Sequence, residues 1–352
     1  MTRSDRPARG TTPGRAVGRG EEAIAVGAQV GTAQVGTAGV GTTEAGPPPV
    51  RSARAVWRRV VADRPAVFGM VFAGLAVLVA LAAPLLTMLE GQDPVTFHPE
   101  LVDSARGGVP LGSFGGVSAD HWLGVEPQTG RDLFARTVYG ARISLLVAVG
   151  AAVVQVGLGV LLGLAAGLGG RWLDNALGRL TDLVIAFPSL IFSVALLAIV
   201  PDSFPRPLLL MLIMGMFGWG GTARIVRGQV LSLRSRDHVA AARLAGATPT
   251  RVAFREILPG VVAPVLSYAA ILLPSNMISE AGLSFLGVGV RPPTPSWGQM
   301  LSKATTWFRG DPLYVLVPAT LLFLTVLSFS LLADGLRTAL DPRATGVARR
   351  AE

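Results

Sequence analysis

Residues 237–259 read DHVAAARLAGATPTRVAFREILP, a polar stretch set between two long apolar runs. It carries Asp237, Arg243, Arg251, Arg255 and Glu256, a charge load too high for the interior of a bilayer. It is also too regular for a slack loop. Ala240, Ala241, Ala242, Leu244 and Ala245 are strong helix formers. Gly246 follows where a helix commonly ends on a glycine. Thr248-Pro249 suits a restart, because proline is tolerated in the first turn of a helix. Val252, Ala253, Phe254 and Ile257 then lead into Leu258-Pro259. The pattern predicts a short helix, a glycine turn and a second short helix, lying on a membrane surface and joined to a span at each end. Taken alone, the stretch also reads as an ordinary amphipathic connector.

Working outward, the 352 residues are 51% hydrophobic and 15% charged, against about 25% charged in soluble proteins. Six runs lack charge over a spanning length: 65–89, 143–170, 183–200, 207–223, 257–279 and 312–333. A hydrocarbon core of about 30 Å needs roughly 20 helical residues, so each can cross. The runs are continuously apolar rather than alternating, which excludes a β-barrel. The expected fold is therefore all-α, a polytopic membrane protein with six transmembrane helices. Cysteine is absent, which removes disulfides and thiolate metal sites.

The organisation follows from these runs. Residues 1–50 repeat Val-Gly-Thr-Ala among Gly, Ala, Thr and Pro without an aromatic, too little apolar surface to fold, and are expected to be a disordered tail. They lack the basic start and apolar core of a signal peptide. Residues 51–89 are a basic approach helix, with Trp57 suited to the interface, and the first span. Residues 90–140 form an external segment, irregular to about residue 120. A core of five spans covers 141–336, with the polar loop near 229–259, and 337–352 form a C-terminal tail.

Most of the 31 basic residues fall on one side of this arrangement. Arg51, Arg54, Arg58, Arg59 and Arg64 precede the first span, and Arg171 and Arg179 follow the second. Arg224, Arg227, Arg234, Arg236, Arg243, Arg251 and Arg255 surround the polar loop, and Arg337, Arg343, Arg349 and Arg350 follow the last span. The bias of basic residues toward the inner face places both termini and the 237–259 loop in the cytoplasm. The net charge of +9 is this topology signal, with attraction to anionic headgroups of the lipid bilayer second. No basic cluster is interleaved with aromatics, so nucleic acid is not an expected partner.

The 237–259 stretch resembles the cytoplasmic loop of ABC importer permeases in which Glu-Ala-Ala precedes a glycine and, further on, Leu-Pro. The match runs through Ala241, Ala242, Gly246, Leu258 and Pro259, and departs at Ala240, where the family usually has glutamate. Residues 121–146, HWLGVEPQTGRDLFARTVYGARISLL, resemble the segment before the second span in the C-type permeases of dipeptide and oligopeptide importers. Gly130, Arg131, Asp132, Arg136, Tyr139, Gly140, Arg142 and Ser144 carry that likeness, while Val125-Glu126 replaces the usual Thr-Asp. The bland reading of the same segment is a helix–turn–helix lid in which Arg131 and Asp132 pair locally. Glu280 to Leu301, with Pro292, Pro293 and Trp297 in a Pro-Pro-Thr-Pro-Ser-Trp run, is similar to the family's external loop. The resemblance covers about residues 55–343.

The resemblance implies one membrane subunit of an ATP-driven importer for peptides or similar small solutes. It would pair with a homologous permease, sit on two ATP-binding subunits that hold ATP and Mg, and receive cargo from an external solute-binding protein. The ATPase-coupling loop would then comprise Asp237, Ala240, Ala241, Ala242, Gly246, Arg255, Leu258 and Pro259.

Asp182, Asn276, Ser279 and Glu280 are candidates for the translocation path, since ionisable groups at membrane depth usually face the bundle or a watery route. Arg179 and Asp182 stand three apart on one helix face and offer the alternative of a structural pair. Pro188 is expected to kink the third span. Pro259, Pro264 and Pro274 are expected to bend the fifth. The single lysine, Lys303, is not in a phosphate-binding Gly-Lys-Ser/Thr setting. His98, His121 and His238 lack metal-ligand spacing, and no nucleophile elbow or carboxylate pair stands out. The chain is thus expected to hold no catalytic residue, metal or cofactor. Rival readings are an ion-coupled secondary transporter, which would use Asp182 or Glu280 and work without ATP, and an ABC membrane subunit that does not import.

Overall fold

The computed structural model describes residues 53–201 and 203–340. The expected tail 1–50 and residues 341–352 of the C-terminal segment lie outside the described residues. The bundle is built on five helices long and apolar enough to cross a membrane: α2 (Arg64–Glu90), α3 (Leu133–Leu168), α6 (Arg206–Leu233), α9 (Leu258–Phe285, continuous with a lead-in from Pro249) and α11 (Pro312–Leu340). The pair α4 (Arg171–Ala186) and α5 (Ser189–Ile199), bent by 79°, has the length and composition of a broken span or a re-entrant loop, giving five or six crossings. One end of the bundle carries residues 91–132 and 286–311, called the cap here. The other carries α1 (Ala53–Ala62) and the 237–259 elbow.

Small residues set how closely these helices approach. The buried positions of α2 are Ala66, Gly69, Ala73, Ala80, Ala83 and Thr87, recurring every three, four or seven residues on one face. A Cβ on Gly69 would lie 2.5 Å from the Ser328 carbonyl oxygen of α11. Gly159, Gly163 and Gly167 repeat every fourth residue of α3 and abut Thr222, Val226 and Val230 of α6, the most extensive helix pair in the bundle. In a membrane, where lipid is as apolar as leucine, such backbone proximity is what holds helices together.

Four apolar clusters lie among the described residues, the smallest joining Val60, Ala66 and Ala339 where α1, α2 and α11 meet. The first, beneath the cap, gathers Leu133, Leu145, Met277, Trp297, Met300, Tyr314 and Phe329. The second joins Val147, Ala151, Leu197, Leu210 and Ile213. The third, at the elbow, joins Val226, Val230, Val239, Val252, Ile257, Val261 and Val265.

Several expected boundaries move. The second span begins ten residues earlier than its uncharged run, because the Asp132 carboxylate accepts a 2.6 Å hydrogen bond from the Ala135 N–H and starts α3 at Leu133. The fourth runs on to Leu233, its arginines finding partners across α4. The Pro188 kink is a full break: Phe187 is extended, with ψ 134°, as steric conflict with a following proline demands.

The fifth span differs more. Pro264 and Pro274 lie inside a continuous α9, and the departure from α-geometry precedes them, as a π-helical stretch Val252–Ile257. There the Leu258 N–H reaches back to the Ala253 carbonyl, a wider turn next to Pro259, whose ring would crowd the Arg255 carbonyl in a regular helix. The second short helix of the elbow is accordingly no separate surface helix. It is three residues, α8 (Pro249–Arg251), running straight into the span.

The cap is a Gly-rich fold in miniature. Two-residue strands β1 (Val102–Asp103) and β2 (Val109–Pro110) pair antiparallel, Val102 opposite Pro110. Helix α10 (Trp297–Trp307) starts on the Ser296 hydroxyl, which accepts from the Gln299 N–H at 3.2 Å.

Candidate functional site: an exposed elbow, two polar joints and a buried cap network

The elbow is shaped by its own backbone. Helix α7 (Asp237–Leu244) ends with Gly246 at φ +80°. The Ala247 N–H donates to the Ala242 carbonyl and the Gly246 N–H to the Arg243 carbonyl, both at 3.0 Å. This paired closure is the Schellman stop, which needs a left-handed residue where glycine is least strained. Thr248 then caps α8, its Oγ1 accepting from the Arg251 N–H at 3.3 Å, with Pro249 in the first turn.

The only buried residue of α7 is Val239, seated among Val226, Val230, Val252 and Ile257. Asp237, Ala240, Ala241, Gly246, Arg255 and Pro259 are exposed, and Ala242 and Leu258 half-buried. Leu244 is 91% exposed and Phe254 65%. The elbow thus offers small residues flanked by two bare apolar side chains.

Above it, α4 closes over α3 and α6 around a cleft of about 290 Å³ lined by Asp174, Asn175, Arg179, Asp182, Arg224 and Arg227. Asp182 does not pair with Arg179. Its carboxylate accepts from Arg224 of α6 at 2.9 Å, because the bundle sets the α6 arginines opposite α4. One turn-pair away, Arg227 clasps Asp174, with Nη2 at 2.9 Å from Oδ2. Thr181 is the one buried residue of α4, and the two ion pairs link its solvent-facing side to α6.

At mid-height, Gln155 of α3 and Asn276 of α9 exchange hydrogen bonds. The Gln155 Nε2 donates to Asn276 Oδ1 at 3.0 Å, and the Asn276 Nδ2 to Gln155 Oε1 at 3.1 Å. Their second protons go to the carbonyls of Met214 in α6 (3.1 Å) and Ala148 in α3 (3.2 Å). One turn on, buried Glu280 accepts from the hydroxyls of Ser144 and Ser284, each at 2.8 Å. Asn276 and Glu280 therefore point into this chain's own bundle, whereas Ser279 is exposed.

The cap hides a charged network. The Glu126 carboxylate accepts from Arg131 Nε at 2.7 Å and from the Thr129 hydroxyl at 2.9 Å, and it takes the Tyr314 hydroxyl in a short bond. Arg136, fully buried, has Nε 3.5 Å from Glu126. Its Nη1 donates to the carbonyls of Pro94 (3.0 Å) and Pro293 (3.3 Å), and its Nη2 to Gln299 Oε1 (2.8 Å). Burial alone pushes the Glu126 carboxyl up. Arg136, Arg131 and the Tyr314 and Thr129 hydroxyls outweigh it and hold the group below the usual carboxylate range.

Arg131 and Asp132 do not pair with each other, and the segment is not a helix–turn–helix lid. Asp132 takes the His121 Nδ1 at 2.8 Å while capping α3. Gly130 has φ +66°, and a Cβ there would sit 2.0 Å from the His98 carbonyl oxygen. Trp297 is buried and donates to the Thr137 carbonyl at 3.1 Å. Tyr139 is half-buried, and Pro292 and Pro293, joined by a cis peptide bond, are exposed.

Glu126, Tyr314, Gln155 and Ser144 are missed by sequence reasoning as partners in these joints. Their signals were faint: Glu126 departs from the family pattern, and Gln155 is a lone amide within an uncharged run.

A multi-pass helical bundle of this kind, with a polar elbow at one end and a folded cap at the other, is the architecture of a membrane permease. Residues 159–346 match the family described as binding-protein-dependent transport system inner membrane component. Residues 53–99 match the N-terminal TM domain of oligopeptide transport permease C. Among similar proteins, the dipeptide transport system permease protein DppC of Alkalihalophilus pseudofirmus is 36% identical over 303 residues, covering 84% of this chain and 94% of that one. The glutathione transport system permease protein GsiD of Pectobacterium atrosepticum is 34% identical, covering 82% and 91%. The oligopeptide transport system permease protein OppC of Bacillus subtilis is 31% identical, covering 83% and 92%. The chain belongs to the family of binding-protein-dependent transport permeases, the membrane subunits of ABC importers.

Proposed function

We propose that this permease carries peptides or peptide-like small solutes, as the printed functions of its relatives suggest. It does so as half of a path shared with a homologous second permease. The elbow face, with both termini, is cytoplasmic, in keeping with the basic residues gathered there. Two ATP-binding subunits sit beneath it and hold ATP and Mg. An external solute-binding protein delivers cargo to the cap. Helix α7 rides in a groove of one ATPase, and closure of the ATPase dimer moves it. Asp182 and Ser279 face the path, while Asn276 and Glu280 support it from within the bundle.

The observation that carries the coupling role is continuity. Helix α7 is stiffened by the Gly246 stop, and after the hydrogen-bonded turn 245–248 the chain passes through α8 and the π-helical stretch into α9 without a further loop. A push on exposed Ala240 and Ala241 and half-buried Ala242 therefore reaches a membrane span through one short turn. Small side chains there permit close approach to a groove.

The test is Ala241→Trp in the complex reconstituted with its binding protein and ATPases. Ala241 is exposed, so the fold tolerates the bulk. ATP-dependent uptake of a dipeptide is expected to fall while ATP hydrolysis continues. Gly246→Trp is expected to do the same, with added backbone strain at φ +80°. Unchanged uptake and hydrolysis in Ala241→Trp would remove α7 from the mechanism.

A further inference from the structure

Helix α9 is held in two unlike ways along its length. From Asn276 to its cap end it is fastened by directional contacts. Asn276 and Gln155 use all four of their amide protons on each other and on the carbonyls of Met214 and Ala148. Glu280, one turn along the same face, is bonded to Ser144, and Ser284 Oγ accepts from the Val290 N–H at 3.0 Å. A Cβ on Gly218 would sit 2.2 Å from Gln155 Nε2, so α6 is shaped to admit this amide. Three helices meet at one polar point.

Toward the elbow the picture changes. Among the described residues, the side-chain hydrogen bonds of α9 in this half, from Ser267 to the Ala263 carbonyl and from Ser275 to the Ile271 carbonyl, both close on α9 itself. Its neighbours are the valines of the elbow cluster. Apolar contact is non-directional and permits small sliding, whereas a saturated buried amide pair permits one arrangement.

Building on the coupling reading above, we infer that the Gln155–Asn276 pair is the fulcrum of α9. The cap half stays fixed to α3 and α6, and force arriving through the elbow swings only the half between Pro249 and Asn276. Gln155 and Asn276 are positioning residues for transport: they touch no cargo, and they convert a push at α7 into rotation about a fixed point. Removing the point lets the whole helix shift as one piece, and the stroke is spent without opening the path.

The chain has no cysteine, so introduced pairs report without a prior deletion. Leu161→Cys with Val262→Cys spans the elbow half of α3 and α9, and Leu146→Cys with Ile278→Cys spans the cap half. All four positions are exposed. In the reconstituted complex, spin-label distances are measured with and without trapped ATP. The elbow pair is expected to change and the cap pair to stay fixed; equal movement of both overturns the fulcrum.

In parallel, Asn276→Leu is expected to lower dipeptide uptake per ATP hydrolysed by about fivefold or more, a coupling-sized loss. The exchanged variant Gln155→Asn/Asn276→Gln restores the pair and is expected to recover most of it. A wild-type ratio in Asn276→Leu overturns the proposal. If Asn276→Leu fails to assemble, the label distances, taken with both amides native, decide alone. An unaltered complex that takes up dipeptide without ATP would instead sink the coupling reading, and the fulcrum with it.

Discussion

At the cap, buried Arg136 reaches Glu126 and Gln299 in buried contacts and the backbone of Pro94 and Pro293 in part-buried ones. At the elbow, α7 keeps one side chain, Val239, inside the bundle and leaves the rest of its surface bare. Both ends are rich in charge, yet the cap buries Glu126, Arg131, Asp132 and Arg136 while the elbow presents Asp237, Arg243, Arg251 and Arg255. The first arrangement fixes a geometry. The second leaves a surface whose partners lie outside the chain.

The sharpest way to break this contrast is Arg136→Leu, which strands Glu126 in the cap without its second guanidinium. Removing one partner of a buried pair costs about 3–5 kcal/mol, read as a large fall in Tm in detergent. The acid limb should follow the same group. A carboxyl held below its ordinary value adds stability that is complete above that ordinary value and is lost as pH falls through the lower folded one. Thermal melts of wild type should therefore weaken at acid pH, and those of Glu126→Gln should start lower and depend less on pH.

Asp182→Asn marks the other extreme of ion pairing. Its pair with Arg224 is more than half exposed on both sides, so stability should fall by no more than about 1 kcal/mol, while uptake reports any role in the path. Asp311→Asn should have the smallest effect. Burial raises the Asp311 carboxyl above its usual range, so its ionised form weakens the fold as pH rises through that raised value. The amide removes this loss and keeps the cap on α11, where Oδ1 accepts from the Tyr314 N–H. A slight gain in Tm near neutral pH is expected, and a clear drop would mean that the charge is needed.

Local chemistry was legible in the sequence. Gly246 and Pro249 declare a helix stop and restart because glycine and proline restrict the backbone by themselves. Pro188 announces a break for the same reason. The uncharged runs announce the spans, and the expected all-α membrane permease stands with five or six crossings, the third run being the bent pair. What stayed hidden depends on distance along the chain. Asn276 finds Gln155 across 121 residues, and Tyr314 finds Glu126 across 188. The three-residue spacing of Arg179 and Asp182 is visible in the sequence, whereas Arg224, which takes Arg179's place, is brought near only by packing. The fifth span stays helical through Pro264 and Pro274, and its π-helical turn falls beside Pro259 instead.

Among the helices that run between the two ends, α3 is the longest. With 36 residues, α3 is about 54 Å long at 1.5 Å per residue, against about 40–45 Å for a bilayer with its headgroups. A rod longer than the membrane must lean or protrude, and how far it leans depends on acyl-chain length. Turnover in vesicles should therefore be tuned by lipid thickness, making the host membrane a silent participant in the transport cycle.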